Sequence, residues 1–285
     1  MLSTMWNACR ARTDVLRITA ILLLALTCWA AGSPLDPFVG RDFWKDHASG
    51  QELADLKNIL GDVPKGLLMP PDPWRVWKTD HAGQVRYIVL LGEDAATIPG
   101  GSSACIEIFD AARKKVGSSW FQTGWRNIFV AGELENDMVV ISTAPVINGR
   151  NIAKEYFSIG GDRVRLVRIE DDKGALVQNE YVFPNSEIGP VPEANDVDAW
   201  AGLLESKDTA DVLAALVFLG GRHITGPEQA FASEPHESQY AGLFQQLVAG
   251  ARIQTDIQHL IESGNAWVKQ AAVLAARPPR ERPFQ

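Results

Sequence analysis

The sequence predicts an α+β protein: an antiparallel β-sandwich or meander domain followed by an α-helical C-terminal domain. Two changes of period carry that reading. Apolar residues fall at strand spacing from about residue 74, and helical spacing takes over after about residue 192. Proline-rich punctuation, Pro70-Pro71-Asp72-Pro73 and Pro190-Val191-Pro192, stands at both changes, where it interrupts helix and sheet alike. The expected divisions are a signal peptide over 1–32, a lead-in with a short helix over 33–73, a β-rich domain over 74–192, a helical repeat-like domain over 193–277 and a tail over 278–285.

The first segment has the three parts of a secretory signal. Arg10, Arg12 and Arg17 form a basic leader, residues 18–26 are apolar and uncharged, and small residues follow at Ala30, Ala31 and Gly32. A helix needs about 20 apolar residues to span a bilayer. This run is too short, so the expectation is cleavage between Ala30 and Ser33 and export to the periplasm or the exterior. Cys28 leaves lipid anchoring as an alternative, although Ala25-Leu26-Thr27 departs from the usual lipobox. Loss of the leader removes three Arg and one Asp, which takes the formal net charge of −8 two units further negative. An acidic chain without a basic stripe repels phosphate backbones and anionic membrane surfaces. Nucleic acid is therefore not an expected partner, and no integral span is expected after cleavage. Two of the three cysteines leave with the leader, and Cys105 alone cannot form an intramolecular disulfide.

Within the lead-in, Leu53, Leu56, Ile59 and Leu60 recur at helical spacing and Gly61 follows at a C-cap position, which predicts a short amphipathic helix. Strands are predicted at 87–91, ended by Gly92, and at 105–109, 138–141 and 156–159. Residues 163–169 place charge on one side of their start and apolar groups on the other. Glu170-Asp171-Asp172-Lys173-Gly174 then supplies turn chemistry and 175–183 a returning strand, which makes a β-hairpin. With no helical pattern between most of these runs, antiparallel pairing is expected. In the tail, Trp200, Leu203 and Leu204 form a helical face, Asp208 stands at an N-cap before 209–219, and Gly220-Gly221 ends that helix. Tyr240, Leu243, Phe244, Leu247 and Val248 form a further face, and Ile253, Ile257, Leu260 and Ile261 another. Asn265 caps a last helix through Ala276, which Pro278-Pro279 stops.

The tail contains an internal echo. Leu203-Leu204-Glu205-Ser206-Lys207-Asp208 and Leu260-Ile261-Glu262-Ser263-Gly264-Asn265 match position by position at an offset of 57, and an alanine pair follows each, Ala214-Ala215 and Ala271-Ala272. Small alanines let helices approach closely, which predicts stacked helix–turn–helix units. With Asn265 before Val268-Lys269 and the alanines after, the second copy resembles a HEAT-type repeat, over roughly residues 196–276. The resemblance implies stacked helix pairs that build a concave surface. The first copy departs from that pattern, with Asp211-Val212 in place of Val268-Lys269. The offset also exceeds the usual ~40–47 residues, which an insertion at 222–235 would explain. A plain helical bundle shares the same patterning and stays open as the other reading.

No motif for chemistry emerges. His47, His81, His223, His236 and His259 lack ligand spacing, and Pro99-Gly100-Gly101-Ser102-Ser103 lacks the lysine of a phosphate loop, so neither metal nor cofactor is expected. Cys105 leads into an apolar run and reads as a buried, inert thiol. The acidic turn at Glu170-Asp171-Asp172 lacks EF-hand spacing. Aromatic residues are the most suggestive feature. Trp120, Trp125 and Arg126 lie close together among hydroxyls, where indole faces can stack on sugars or partner side chains, or fill a core. With Trp267, Val268 and Lys269 of the second copy, they are the candidate binding residues. The expected function is an exported, non-catalytic protein that binds an envelope protein or glycan. The alternative is a carboxylate-dependent periplasmic hydrolase drawing on Glu107, Asp110, Glu155 or Asp162, because paired acids do general acid–base work without a local motif.

Overall fold

Alternating apolar residues build two four-stranded antiparallel meanders that face each other across a shared core. The computed structural model describes residues 32–43, 46, 49–61, 72–81, 83–92, 103–122, 127–145, 153–160, 163–177, 192, 195–221, 224–225, 246–277 and 280–281. A 3-10 turn at Asp36–Phe38 precedes helix α1 (Gly50–Leu60). Sheet one then runs β1 (Asp72–His81), β2 (Gln84–Gly92), β3 (Ser103–Asp110) and β4 (Lys115–Gln122). Sheet two runs β5 (Asn127–Glu135), β6 (Met138–Pro145), β7 (Lys154–Ser158) and β8 (Arg165–Glu170). In each sheet every strand pairs antiparallel with the next in sequence. Helices α2 (Val197–Leu204), α3 (Thr209–Gly221), α4 (Ala251–Ile261) and α5 (Ala266–Ala275) follow. A short parallel pair, β9 (Ile224–Thr225) with β10 (Arg280–Glu281), joins the end of the chain to the segment after α3. The α+β class with a β domain ahead of a helical part is thus the one expected.

The layers follow from which face of each strand is apolar. On the outer face of sheet one, Val76, Tyr87, Val89, Leu91, Cys105 and Phe109 are covered by Leu35, Phe43, Leu56 and Leu60. Ser49 and Glu52 form a reciprocal capping box that starts α1 and so places Leu56 and Leu60 on that face. The segment 32–43 lies along the edge of β1: the Gly40 and Phe43 amides donate to the Val76 and Trp74 carbonyls, and Asp42 bridges Arg75. Asp36 fastens it by accepting from Lys78 Nζ at 2.7 Å and Tyr87 Oη at 2.8 Å.

Between the sheets, Trp74, Ile88, Leu90, Ile106 and Ile108 meet Phe129, Val139, Ile141, Phe157, Leu166 and Ile169. Trp74 stacks on Phe129 with ring centroids 4.0 Å apart. Two glycines allow this approach. A Cβ on Gly132 would lie 2.6 Å from Leu90 Cδ2, and one on Gly92 would fall inside the Trp74 indole. On the far face of sheet two, α3 packs against β8 and α5, while α2 and α4 form a second helical layer beyond them.

Several expectations differ from the structure for identifiable reasons. Strands β1, β4 and β5 escaped the periodicity reading because bulges between Pro73 and Arg75 and between Phe129 and Ala131 break the two-residue alternation, as does one opposite β4 between Ile108 and Phe109. Pro73, expected as punctuation ahead of the strands, lies within β1, where an edge strand tolerates a missing amide. Of the charged side of residues 163–169, Arg165 faces the helices, as does Arg168, while Arg163 is exposed. The returning strand after Gly174 starts as expected, with Leu176 bridging Glu170 and the Val177 amide donating to the Ile169 carbonyl. Its continuation beyond 177 lies outside the described residues, as do Tyr240, Leu243, Phe244 and the leader segment 1–31. Leu247 and Val248 are buried in a short helical stretch at 246–249. Among the described residues no helix is long and apolar enough to cross a membrane.

Candidate functional site

The polar residues with the most organised surroundings lie in the seam between sheet two and the inner helices. A regular strand would send Arg165 and Arg168 to opposite faces, because they are three residues apart. The bulge opposite Tyr156 and Phe157 inserts Val167, so Tyr156 pairs with Arg168 and Ser158 with Arg165. Both guanidinium groups therefore face the helices.

Arg165 is 7 % exposed and holds the start of α3. Its Nη1 donates to Asp211 Oδ1 at 2.7 Å and also to Asp208. Ser206 Oγ steadies the other Asp211 oxygen at 3.1 Å. Burial pushes the Asp208 carboxyl upward, but Arg165 and the Ala210 amide outweigh it and hold the group below its ordinary value. Arg168 reaches α5: its Nη1 donates to Gln270 Oε1 at 2.9 Å, its Nε donates to Glu170, and its guanidinium lies 4.8 Å from the centre of the Trp267 ring. Tyr156 meets that indole edge-on at 5.5 Å and donates to Glu170 Oε2 at 2.8 Å. Burial, with Glu170 beside it, pushes the Tyr156 hydroxyl up to about 12.

The internal echo is visible as repeated bonding at the two helix–helix turns. The Asp208 amide donates to Ser206 Oγ at 3.1 Å and the Asn265 amide to Ser263 Oγ at 3.2 Å. The Ala210 amide donates to Asp208 Oδ1 at 2.9 Å and the Trp267 amide to Asn265 Oδ1 at 3.0 Å. The two hairpins lie side by side with like against like, α2 on α4 and α3 on α5.

Of the candidate binding residues, Trp267 is half-buried under Arg168 and Val268 is buried, whereas Lys269 is exposed. The backbone of Trp120 pairs opposite Cys105 in β4. Trp125 and Arg126 lie outside the described residues. The candidate carboxylates are dispersed. Glu107, 1 % exposed, belongs to the outer face of sheet one, where it accepts from Lys115 Nζ at 2.6 Å. Burial raises its carboxyl despite that lysine. Cys105 is buried on the same face, with its Sγ 3.7 Å from Ser118 Oγ. Asp110 accepts the Lys114 amide at the β3–β4 turn, and Asp162 lies outside the described residues. Glu155 sits on the other core, between the sheets, with neither carboxylate oxygen hydrogen-bonded. Burial alone pushes its carboxyl up to about 8. Among the described residues no three His, Cys, Asp or Glu side chains gather to hold a metal ion.

Sequence reasoning missed the Arg165 and Arg168 seam because its face assignment depends on a bulge that leaves no residue signature. It named Glu155 only as one acid among four.

Two facing four-stranded meanders, with a helix outside one and a pair of helical hairpins outside the other, define the class: an α+β protein held by two distinct seams. No family model, curated protein or solved structure matches this chain.

Proposed function

We propose that the chain is an exported, non-catalytic interaction protein of the cell envelope, whose stacked helical hairpins offer a surface to a protein or glycan. The observation that carries this reading is the duplicated hairpin. Its inner helices are occupied by sheet two, and its outer layer and turn edge, including Lys207, Arg252, Glu262 and Lys269, are exposed. Stacked helix pairs make broad surfaces of this kind, as in HEAT-type repeats. The hydrolase alternative draws no support from Glu107 and Glu155, which lie in separate cores.

The test is co-purification of the tagged mature chain from its own envelope fraction, read by mass spectrometry for proteins and attached glycans. A reproducible partner lost on Lys269→Glu, with the circular dichroism spectrum unchanged, is the expected result. Recovery of the protein alone, together with substrate turnover by the purified chain, overturns the proposal.

A further inference from the structure

Glu155 occupies a position that packing alone does not explain. Register places it in one row with Gly132, Ile141 and Ile169, since Gly132 pairs with Ile141, Ile141 with Glu155 and Glu155 with Ile169. That row faces sheet one, because Gly132 is the residue whose absent side chain makes room for Leu90. Glu155 is 1 % exposed and both its oxygens lack a hydrogen-bond partner. An isolated ionised carboxylate in such surroundings is far costlier than a neutral one.

Among the described residues, the elements around it supply no counter-charge at hydrogen-bonding distance. From β6 the same face carries Val139, Ile141 and Thr143, from β5 Gly132 and Leu134, and from β8 Leu166 and Ile169. Sheet one presents Trp74, Trp77, Ile88, Leu90, Ile106 and Ile108. Its described charged residues on that side are Arg75, opposite Leu90 and bonded to Asp42, and Arg86 with Asp110, cross-strand partners where β2 begins and β3 ends, four residues along the strand from Leu90 and Ile106. Asp137, in the β5–β6 turn, is bonded by Thr79. Arg165, Arg168 and Glu170 face the helices, on the opposite side of sheet two, and Lys154 is exposed. Burial is accordingly the single influence on the Glu155 carboxyl, which it lifts to about 8.

We propose that the contact between the two sheets is a proton-operated joint: neutral Glu155 lets the sheets close, and its ionisation opens the contact to water. The direction follows from proton binding. Below the ordinary value of 4.5 the group is neutral whether the contact is open or closed. Between 4.5 and about 8 the closed form keeps a proton that the open form gives up, so rising pH favours opening. Above about 8 both forms are ionised and the bias stops growing.

The experiment is amide hydrogen exchange on the full mature chain between about pH 5 and pH 9, corrected for intrinsic exchange and compared with Glu155→Gln. Opening constants for amides of β6 and β7 are expected to rise by up to about tenfold per pH unit in the wild type and to stay level in the variant. Amides of α5 are expected to show no difference between the two proteins. Equal slopes in wild type and variant, or a level wild-type profile, overturn the proposal. Should Glu155→Gln not fold, Glu155→Met replaces it. Direct carbon-13 titration of the Glu155 carboxyl in the wild type decides independently: a midpoint far above 4.5 supports the joint, and one near 4.5 overturns it.

Discussion

The two faces of sheet two are built from the same strands yet handle buried charge in opposite ways. Toward the helices, Arg165 is clasped by Asp208 and Asp211, and Arg168 by Glu170, Gln270 and the Trp267 ring. Among the fully buried polar side-chain atoms described in this cluster, the Arg165 Nε is left without a partner. Toward sheet one the contact is hydrocarbon and indole, interrupted by Glu155 with no partner at either oxygen. Buried ions that are paired and hydrogen-bonded fix which surfaces meet, whereas a buried lone acid is tolerated by keeping its proton. One seam is therefore specified by paired charge, and the other by shape, with a lone acid held inside it.

The strongest way to break this contrast is Glu155→Met. Lifting a carboxyl from 4.5 to about 8 corresponds to a stability loss on the order of 5 kcal/mol by alkaline pH. That loss develops as pH rises between those two values, and the variant should escape it. Chemical denaturation near pH 9 is expected to show the variant more stable by several kcal/mol, with the gap narrowing toward about pH 4. A constant gap at all pH values would mean that Glu155 acts through volume alone.

Arg165→Met attacks the other seam. It leaves Asp211, 16 % exposed at its side chain, with Ser206 and the more distant Arg163 at 4.0 Å in place of its close guanidinium, and the expected cost is about 3 kcal/mol. Adding Asp211→Asn should restore part of it, because the stranded charge is then gone. A double variant as unstable as the single one would assign the loss to packing instead.

The smallest expected effect concerns the echo. Asn265 caps α5 by accepting from the Trp267 and Val268 amides, so Asn265→Ala should cost about 1 kcal/mol in thermal or denaturant unfolding. It is expected to do so without altering the pH dependence that Glu155 imposes.

How much of this was legible in the sequence depends on whether a feature is local. The caps at Asp208 and Asn265, the helical spacing from Leu53 to Leu60 with Gly61 after it, the turn after Glu170 and the change from strand to helix period are written in neighbouring residues, and they were readable. Strands β1, β4 and β5 were not, because each meets a bulge that shifts its alternation. The same cause hid the seam: Val167 sets Arg165 and Arg168 on one face, and nothing in their spacing says so. Trp267 was named as a candidate binding residue because it belongs to the second copy of the echo; that Arg168, some hundred residues earlier in the chain, lies over its ring was not legible locally. Glu155 was visible only as an acid between Lys154 and Tyr156, since its isolation comes from a second sheet that the local pattern cannot place.

The segment along β1 carries a consequence for association. An unpaired edge strand is a template on which a second chain can add itself. Here the Val76 and Trp74 carbonyls are already taken by the Gly40 and Phe43 amides, and Leu35, fully buried, pins the segment in place. Removing residues 32–43 would uncover those carbonyls and leave β1 free to recruit other molecules, so this short segment also guards the sheet against edge-to-edge association.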